Sequence, residues 1–344
     1  MTDPVVGVAA AGVAFLVSTL FTWLVLRLTR RWELLDRPNE RSAHLVPTPT
    51  GGGLGIIAGI WCGAGILAMS GSDGGLLLGE GLAAWGVSTL VLMALLIDDL
   101  VRPLRVTEKA ILLLAAAAAW LALRPRLQVV SLPGTGPVEL GPWSWIVTAL
   151  WLLAVSNAFN FMDGIDGITS VQTVCVAGFL LLSLWRLGTA WGEAGIILAG
   201  TTGFLLFNRP PARIFMGDVG STFLGFTLAA SGVLAVKAGL PFWLLLLFLG
   251  SYGVDTGYTL VRRAWCGENP LRAHRKHLYQ RLNRFGCSHG QIDLWVLVVN
   301  LVLGVGGYLW VFESRVWGAV LVATGGLLLL IEVIWVERKD PDLA

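Results

Sequence analysis

The sequence predicts an all-α integral membrane protein, a single polytopic membrane domain over residues 1–344, and three observations carry that reading. The chain is 56% hydrophobic and only 13% charged, against about 25% charged residues in an ordinary soluble domain. Sixteen tryptophans and 43 glycines suit helices that lie in lipid, where both residues are favoured. Apolar runs of helix length recur from one end to the other, and a helix in lipid satisfies its own backbone. A net charge of +2 is too small to point to a nucleic-acid partner. The four cysteines show no CxxC pair, and Cys266 and Cys287 lie near histidines in no usual zinc spacing.

A membrane helix takes roughly 20 mostly apolar residues. Candidates run near residues 5–28, 52–70, 81–97, 109–124, 143–159, 171–187, 195–208, 222–240, 242–261, 293–312 and 317–336. They predict a bundle of about 10–11 transmembrane helices. The run at 195–208 is short, and the break at 237–241 is slight. The first run follows "MTDP" with no basic segment before it, so it reads as a span and not as a cleaved signal.

Lys and Arg set the orientation. The loops at 29–51, 98–109, 160–170, 208–221 and 262–292, with the C-terminus, carry 19 of the 24 Lys and Arg residues. Arg124, Arg126, Arg186, Lys237 and Arg315 fall on the other face. The first face is therefore expected to be cytoplasmic, the C-terminus with it, and the N-terminus outside.

The chemistry-bearing residues collect on that same face. His44, His274, His277 and His289 all lie there, as do Asp98, Asp99, Asp163, Asp166 and Asp218. Asp255 and Glu332 lie inside spans, and an intramembrane carboxylate is a functional candidate by default; Glu332 is close enough to the end of its span to reach the interface. "DRPNERSAHLVPTPTGGG" (Asp36 to Gly53) reads as a polar loop before a small-residue helix start, without the phosphate-loop signature. "IDDL" sets Asp98 and Asp99 side by side at the end of a span, opposing the helix dipole and each other, which calls for a cation. "NAFNFMDGIDGI" (Asn157 to Ile168) combines carboxylates with glycines that free the backbone for tight turns. Within "NRPPARIFMGDVGS" (Asn208 to Ser221), an aspartate between glycines precedes a span whose helix N-terminus favours an anion. "AHRKHLYQRLNRFGCSH" (Ala273 to His289) is basic and histidine-rich; alone, it reads equally as a solvated positive loop.

Carboxylates without thiolates or a tight histidine cluster suit a hard, oxygen-seeking cation, Mg²⁺ or Mn²⁺. Mg²⁺ commonly bridges carboxylates to substrate phosphates, and the last loop's Arg, Lys and His, His274 and Arg275 among them, would meet further phosphate oxygens. This is the equipment of phosphoryl transfer, which needs positioning and charge stabilisation. A site at the mouth of a bundle takes one substrate from water and one from lipid.

In their order, "DRPNERSAHLVPTPTGGG", "DD", "NAFNFMDGIDGI", "FNRPPARIFMGDVGS" and "AHRKHLYQRL" resemble the polyprenyl-phosphate N-acetylhexosamine-1-phosphate transferases, the MraY and WecA superfamily (glycosyltransferase family 4). The resemblance covers residues 30 to 290. It implies transfer of a sugar 1-phosphate from a UDP-N-acetylhexosamine to undecaprenyl phosphate, releasing UMP, with Mg²⁺, in a bacterial inner membrane with the site facing the cytoplasm. It implies that Asp98 or Asp99 sits near the lipid phosphate, that Asp218 holds the metal, and that Asn160, Asp163, Asp166 and Asn208 bind the nucleotide and position the diphosphate. Phe215 would stack on uracil, His277 would contact the diphosphate, and Lys109 would neutralise phosphate. Many relatives carry histidines where this chain has Tyr279 and Gln280. The form here resembles the branch that starts O-antigen or other surface polysaccharide on 6-deoxy sugars, such as N-acetylfucosamine or N-acetylquinovosamine. UDP-N-acetylglucosamine remains the alternative donor, and the pentapeptide-bearing peptidoglycan precursor is disfavoured.

Direct attack by the lipid phosphate is the expected mechanism, since a phosphate monoester with a second pKa near 6 is mostly dianionic at neutral pH. The rival classes are a transporter, a membrane scaffold and a CDP-donor phospholipid synthase. A transporter would place its charges at the midplane of matched repeats, a scaffold leaves the paired aspartates unexplained, and the synthase pattern is absent. Small-residue stretches such as "LLLAAAAAW" (Leu112 to Trp120) would pack against other helices or a second copy, so a homodimer is among the expected assemblies.

Overall fold

The computed structural model describes residues 2–36, 46–71, 80–102, 104–123, 126–134, 136–269 and 274–340. His44 and most of the first polar loop lie outside the described residues. The helices are α1 (Pro4–Arg31), α2 (Gly53–Ser70), α3 (Glu80–Met93), α4 (Leu96–Leu100), α5 (Val106–Leu123), α6 (Ser144–Met162), α7 (Ile168–Arg186), α8 (Gly192–Asn208), α9 (Gly217–Lys237), α10 (Phe242–Phe248), α11 (Gly250–Trp265), α12 (Leu278–Arg284), α13 (His289–Phe312) and α14 (Arg315–Lys339). Two small antiparallel ladders join loops: β1 (Leu35–Asp36) with β2 (Thr48–Pro49), and β3 (Val129–Val130) with β4 (Val138–Glu139). Among the described residues nine helices are long and apolar enough to cross a membrane, or ten if the bent pair α10–α11 is one span. At 17 residues, α8 is as short as its sequence indicates.

Helix α9 is the centre of the bundle, with 94% of its span buried inside the protein. Small residues set how closely its neighbours approach. A Cβ on Gly53 would run into the Cα of Gly220, and one on Gly220 would lie 2.7 Å from the Cα of Gly53, so the backbones of α2 and α9 touch. A second row on α2, Gly55, Gly59 and Gly63, seats that helix directly on α1.

The sequence predicts one span near 242–261, and here the structure differs: α10 and α11 meet at 85° around Leu249. A helix can break within a membrane protein only where other groups take up the freed backbone. Gln172 Nε2 donates to the Phe248 carbonyl (3.2 Å), and the Ser251 N–H donates to Asn300 Oδ1 (3.3 Å). Asn300 Nδ2 in turn donates to Gln172 Oε1 (2.6 Å). The three side chains form a buried polar cluster between α7, α11 and α13.

Contacts between loops tie the helices together at two ends of the bundle. At one, Thr2 Oγ1 accepts the N–H groups of Trp191 and Gly192 (3.0 and 3.1 Å). At the other, the Phe215 N–H donates to the Pro49 carbonyl (2.8 Å), and the N–H groups of Gly52 and Gly53 donate to the carbonyls of Phe215 and Met216 (both 2.9 Å). The Glu332 carboxylate accepts from Trp295 Nε1 at 2.9 Å.

Replacing Asn300 with leucine leaves the Ser251 N–H without its acceptor, which costs about 1–3 kcal/mol for a buried group. Thermal melting in detergent is expected to show a lower midpoint for Asn300→Leu; an unchanged midpoint would mean that the bend does not depend on this cluster.

Candidate active site

A cavity of about 540 Å³ opens at the second end of the bundle. Its wall carries seven carboxylates, Glu33, Asp36, Asp98, Asp99, Asp163, Asp166 and Asp218, with Arg275, His289, Gln280, Asn283 and Phe215. So much negative charge in one wall calls for cations in whatever fills it.

Asp98, Asp99 and Asp218 each present a carboxylate oxygen within 4.8 Å of the others. The sequence set the aspartate pair at a helix C-terminus, where the dipole opposes it. The structure adds what the local sequence lacks. Asp99 Oδ1 accepts the Asp218 N–H (2.7 Å) and Oδ2 the Val219 N–H (3.2 Å), which places this carboxylate on the N-terminus of α9, its favourable position. Gly217 makes that approach feasible: its φ is +78° and a Cβ there would lie 2.5 Å from Asp99 Oδ2. Lys109, from the first turn of α5, bonds Asp98 Oδ2 at 2.8 Å and also reaches Asp218 Oδ2.

The opposite wall is the "DGIDG" turn between α6 and α7. Burial pushes the Asp163 carboxyl up to about 7, and the charges of Asp218 and Asp99 act in the same direction. Asp166 Oδ2 accepts the Ala212 N–H (3.0 Å) and lies 3.3 Å from His289 Nδ1. Behind the wall, the Asn208 amide accepts the Gly167 N–H (3.1 Å) and donates to the Ile214 carbonyl (3.1 Å). Asn160 Nδ2 donates to Ser221 Oγ (3.3 Å), joining α6 to α9. Asn208 thus holds the loops that carry Asp166 and Asp218, and Asn160 ties α6 to the first turns of α9.

The third wall comes from the last loop and α12, with Arg275, Gln280 and Asn283 facing the cavity. His277 is 2% exposed, with Nδ1 2.9 Å from Asp255 Oδ1. Its ring stacks on His274, centroids 4.8 Å apart. Burial, and then the neighbouring His277, push His274 down to about 4, so it is neutral at neutral pH. Glu33, Asn283 and His289 belong to the wall but are not among the site residues expected from the sequence; His289 shows only as one of the four histidines on that face, and Glu33 and Asn283 only as polar side chains in their loops.

The triad is a set of hard oxygen donors, the kind that Mg²⁺ or Mn²⁺ takes. Among the described residues it is also the only group of three or more His, Cys, Asp or Glu side chains close enough to hold an ion, and no zinc cluster forms around Cys266 or Cys287.

A helical membrane bundle with an acidic, lysine-bridged cavity at one end has the form of a membrane phosphotransferase, and known proteins agree. Residues 82–237 match Glycosyl transferase family 4. The chain is 30% identical over 339 residues to the decaprenyl-phosphate N-acetylglucosaminephosphotransferase of Mycobacterium leprae, covering 88% of this chain and 82% of that protein. It is 31% identical over 326 residues to the phospho-N-acetylmuramoyl-pentapeptide-transferase of Desulforudis audaxviator, covering 87% of this chain and 96% of that one. A probable undecaprenyl-phosphate N-acetylglucosaminyl 1-phosphate transferase of Bacillus subtilis is 28% identical over 313 residues, 85% of this chain and 83% of its own. The chain belongs to this family, the polyprenyl-phosphate sugar-1-phosphate transferases of the MraY and WecA superfamily.

An alanine at position 217 meets both the positive φ and the Asp99 carboxylate, a strain of about 1–3 kcal/mol. Gly217→Ala is expected to lose at least about tenfold in turnover while the protein remains folded. Wild-type turnover in this variant would show that the Asp99 contact with α9 is dispensable.

Proposed function

We propose that the chain transfers an N-acetylhexosamine 1-phosphate from a UDP-sugar to undecaprenyl phosphate at the cytoplasmic face of a bacterial inner membrane, releasing UMP. The Asp98–Asp99–Asp218 triad, bridged by Lys109 at the mouth of a membrane bundle, carries the reading. Asp218, with the pair beside it, would hold Mg²⁺, which neutralises charge on the diphosphate. An oxygen of the lipid phosphate attacks the phosphorus attached to the sugar. The bond from that phosphorus to the bridging oxygen breaks, and UMP leaves with that oxygen. Lys109 and the pair orient the attacking phosphate, which needs no covalent enzyme intermediate. Phe215 offers its ring to uracil, while Asp163 and Asp166 hold the nucleotide with Asn160 and Asn208 behind them. Arg275 on the wall brings positive charge to the donor phosphates, with His289 beside it and His277 and His274 behind.

The family branch that Tyr279 and Gln280 resemble favours a 6-deoxy donor and a role in starting O-antigen or another surface polysaccharide. A second reading, UDP-N-acetylglucosamine for a cell-wall glycopolymer, is favoured by the names of the Mycobacterium and Bacillus relatives. Along Leu112 to Trp120, one side packs inward and Leu114, Ala115 and Ala118 are exposed, a surface that a second copy would fit.

The test is purified protein with undecaprenyl phosphate, Mg²⁺ and a panel of UDP-N-acetylhexosamines, read by UMP release and lipid-linked product. One donor should react, and activity should vanish with EDTA. Asp218→Asn should lose at least about a hundredfold, as for a group that stabilises transition-state charge. A variant with near-normal rates would refute the metal assignment, and silence of folded wild type across the panel would count against the transferase reading. For orientation, in a cysteine-free background, a cysteine at Glu139 should react with an impermeant reagent from outside the cell and one at Glu33 only from the cytoplasm. The reverse pattern would invert the topology.

A further inference from the structure

We propose that Asp255 is a positioning residue for the donor side of the cavity, acting through α12 and Tyr279 on the "DGIDG" turn. The inference rests on the transferase reading above. Asp255 sits on α11 and is only 4% exposed. Its Oδ1 accepts the Leu278 N–H (3.0 Å) and pairs with His277 Nδ1 (2.9 Å), and its Oδ2 accepts the Tyr279 N–H (3.0 Å). Thr259 Oγ1 adds a bond from the same helix (3.2 Å). The N-terminus of α12 is thus held by a carboxylate from another helix, 23 residues back from Leu278. Such charge-assisted bonds are the stronger kind and fix direction as well as distance.

The link continues into the cavity. Tyr279 is 2% exposed, and its hydroxyl donates to the Phe161 carbonyl at 3.1 Å. Gly164 lies flat against that hydroxyl, with no room for a Cβ between them. Gly164 adjoins Asp163 and stands two residues before Asp166, so the height of Tyr279 sets the height of both carboxylates. Gln280, on the cavity wall, donates to the same hydroxyl at 3.2 Å. Asp255 reaches no cavity atom itself; it fixes where the residues that do so stand.

A purely stabilising carboxylate and a positioning one predict different kinetics. Loss of stability lowers the active fraction, hence apparent kcat, and leaves both KM values alone. Displacement of the turn weakens the donor alone. For folded Asp255→Asn, the KM for the UDP-sugar is expected to rise roughly tenfold, with the KM for undecaprenyl phosphate unchanged. Asp255→Glu, which keeps both acceptor oxygens, should recover part of the loss. Tyr279→Phe should raise the same KM, and the double variant Asp255→Asn/Tyr279→Phe should show no more than the larger single effect, because one path carries both. A donor KM within about twofold of wild type in folded Asp255→Asn, or additive effects in the double variant, would overturn the proposal. If Asp255→Asn does not fold, Tyr279→Phe decides, and an unchanged donor KM sinks the idea. Should wild type transfer nothing, the transferase reading fails by itself, and calorimetric binding of UMP to the same variants still reads the positioning. A roughly tenfold weaker Kd supports it and an unchanged one refutes it.

Discussion

Asp99 accepts the first N–H groups of α9, and the acidic end of the bundle is organised around that contact. An apolar chain cannot hold three carboxylates within 4.8 Å of one another without compensation. Here the compensation is divided. The positive end of the central helix meets Asp99, and the Lys109 ammonium bridges Asp98 and Asp218. Both devices come from helices, so the carboxyl groups are fixed in place before any substrate arrives. The arrangement suits phosphoryl transfer, where positioning and preset charge supply most of the catalysis.

The far wall of the cavity depends on a different solution to the same membrane constraint. The bend between α10 and α11 carries the polar α11 out of line with its predecessor, and the Gln172–Ser251–Asn300 cluster absorbs the backbone groups that the bend releases. Beyond that bend, Asp255 of α11 reaches the start of α12. The other side of α12 is tied to the C-terminal helix: the buried Arg281 pairs with Glu337 and Asp340, and Arg262 of α11 meets the same Glu337 at 3.1 Å. The last loop is therefore gripped from two helices.

Much of this was legible in the sequence, and the reasons are physical. Carboxylates are so unfavourable in an apolar chain that Asp98, Asp99, Asp163, Asp166 and Asp218 stood out, and all five line one cavity. Span boundaries followed from hydropathy, because lipid imposes it on every helix. The bend at Leu249 did not show, because a polar cluster built from three separate helices has no local pattern. The capping of α9 by Asp99 and of α12 by Asp255 was hidden for the same reason. Capping signals are read a few residues from the helix they serve, and these acceptors come from 119 and 23 residues away. Asn160 and Asn208 were recognisable as unusual residues; that the first ties α6 to α9 and the second holds two loops emerges only from the packing.

The contact between Gly53 and Gly220 has a consequence for how this protein can change. Each glycine is the obstacle to the other's side chain, so enlarging either one forces α2 and α9 apart, and enlarging both compounds the displacement. Because Gly220 lies two residues beyond Asp218, such a displacement would also move a carboxylate of the triad. A pair of residues without side chains or charge thereby helps to fix where a reacting group stands.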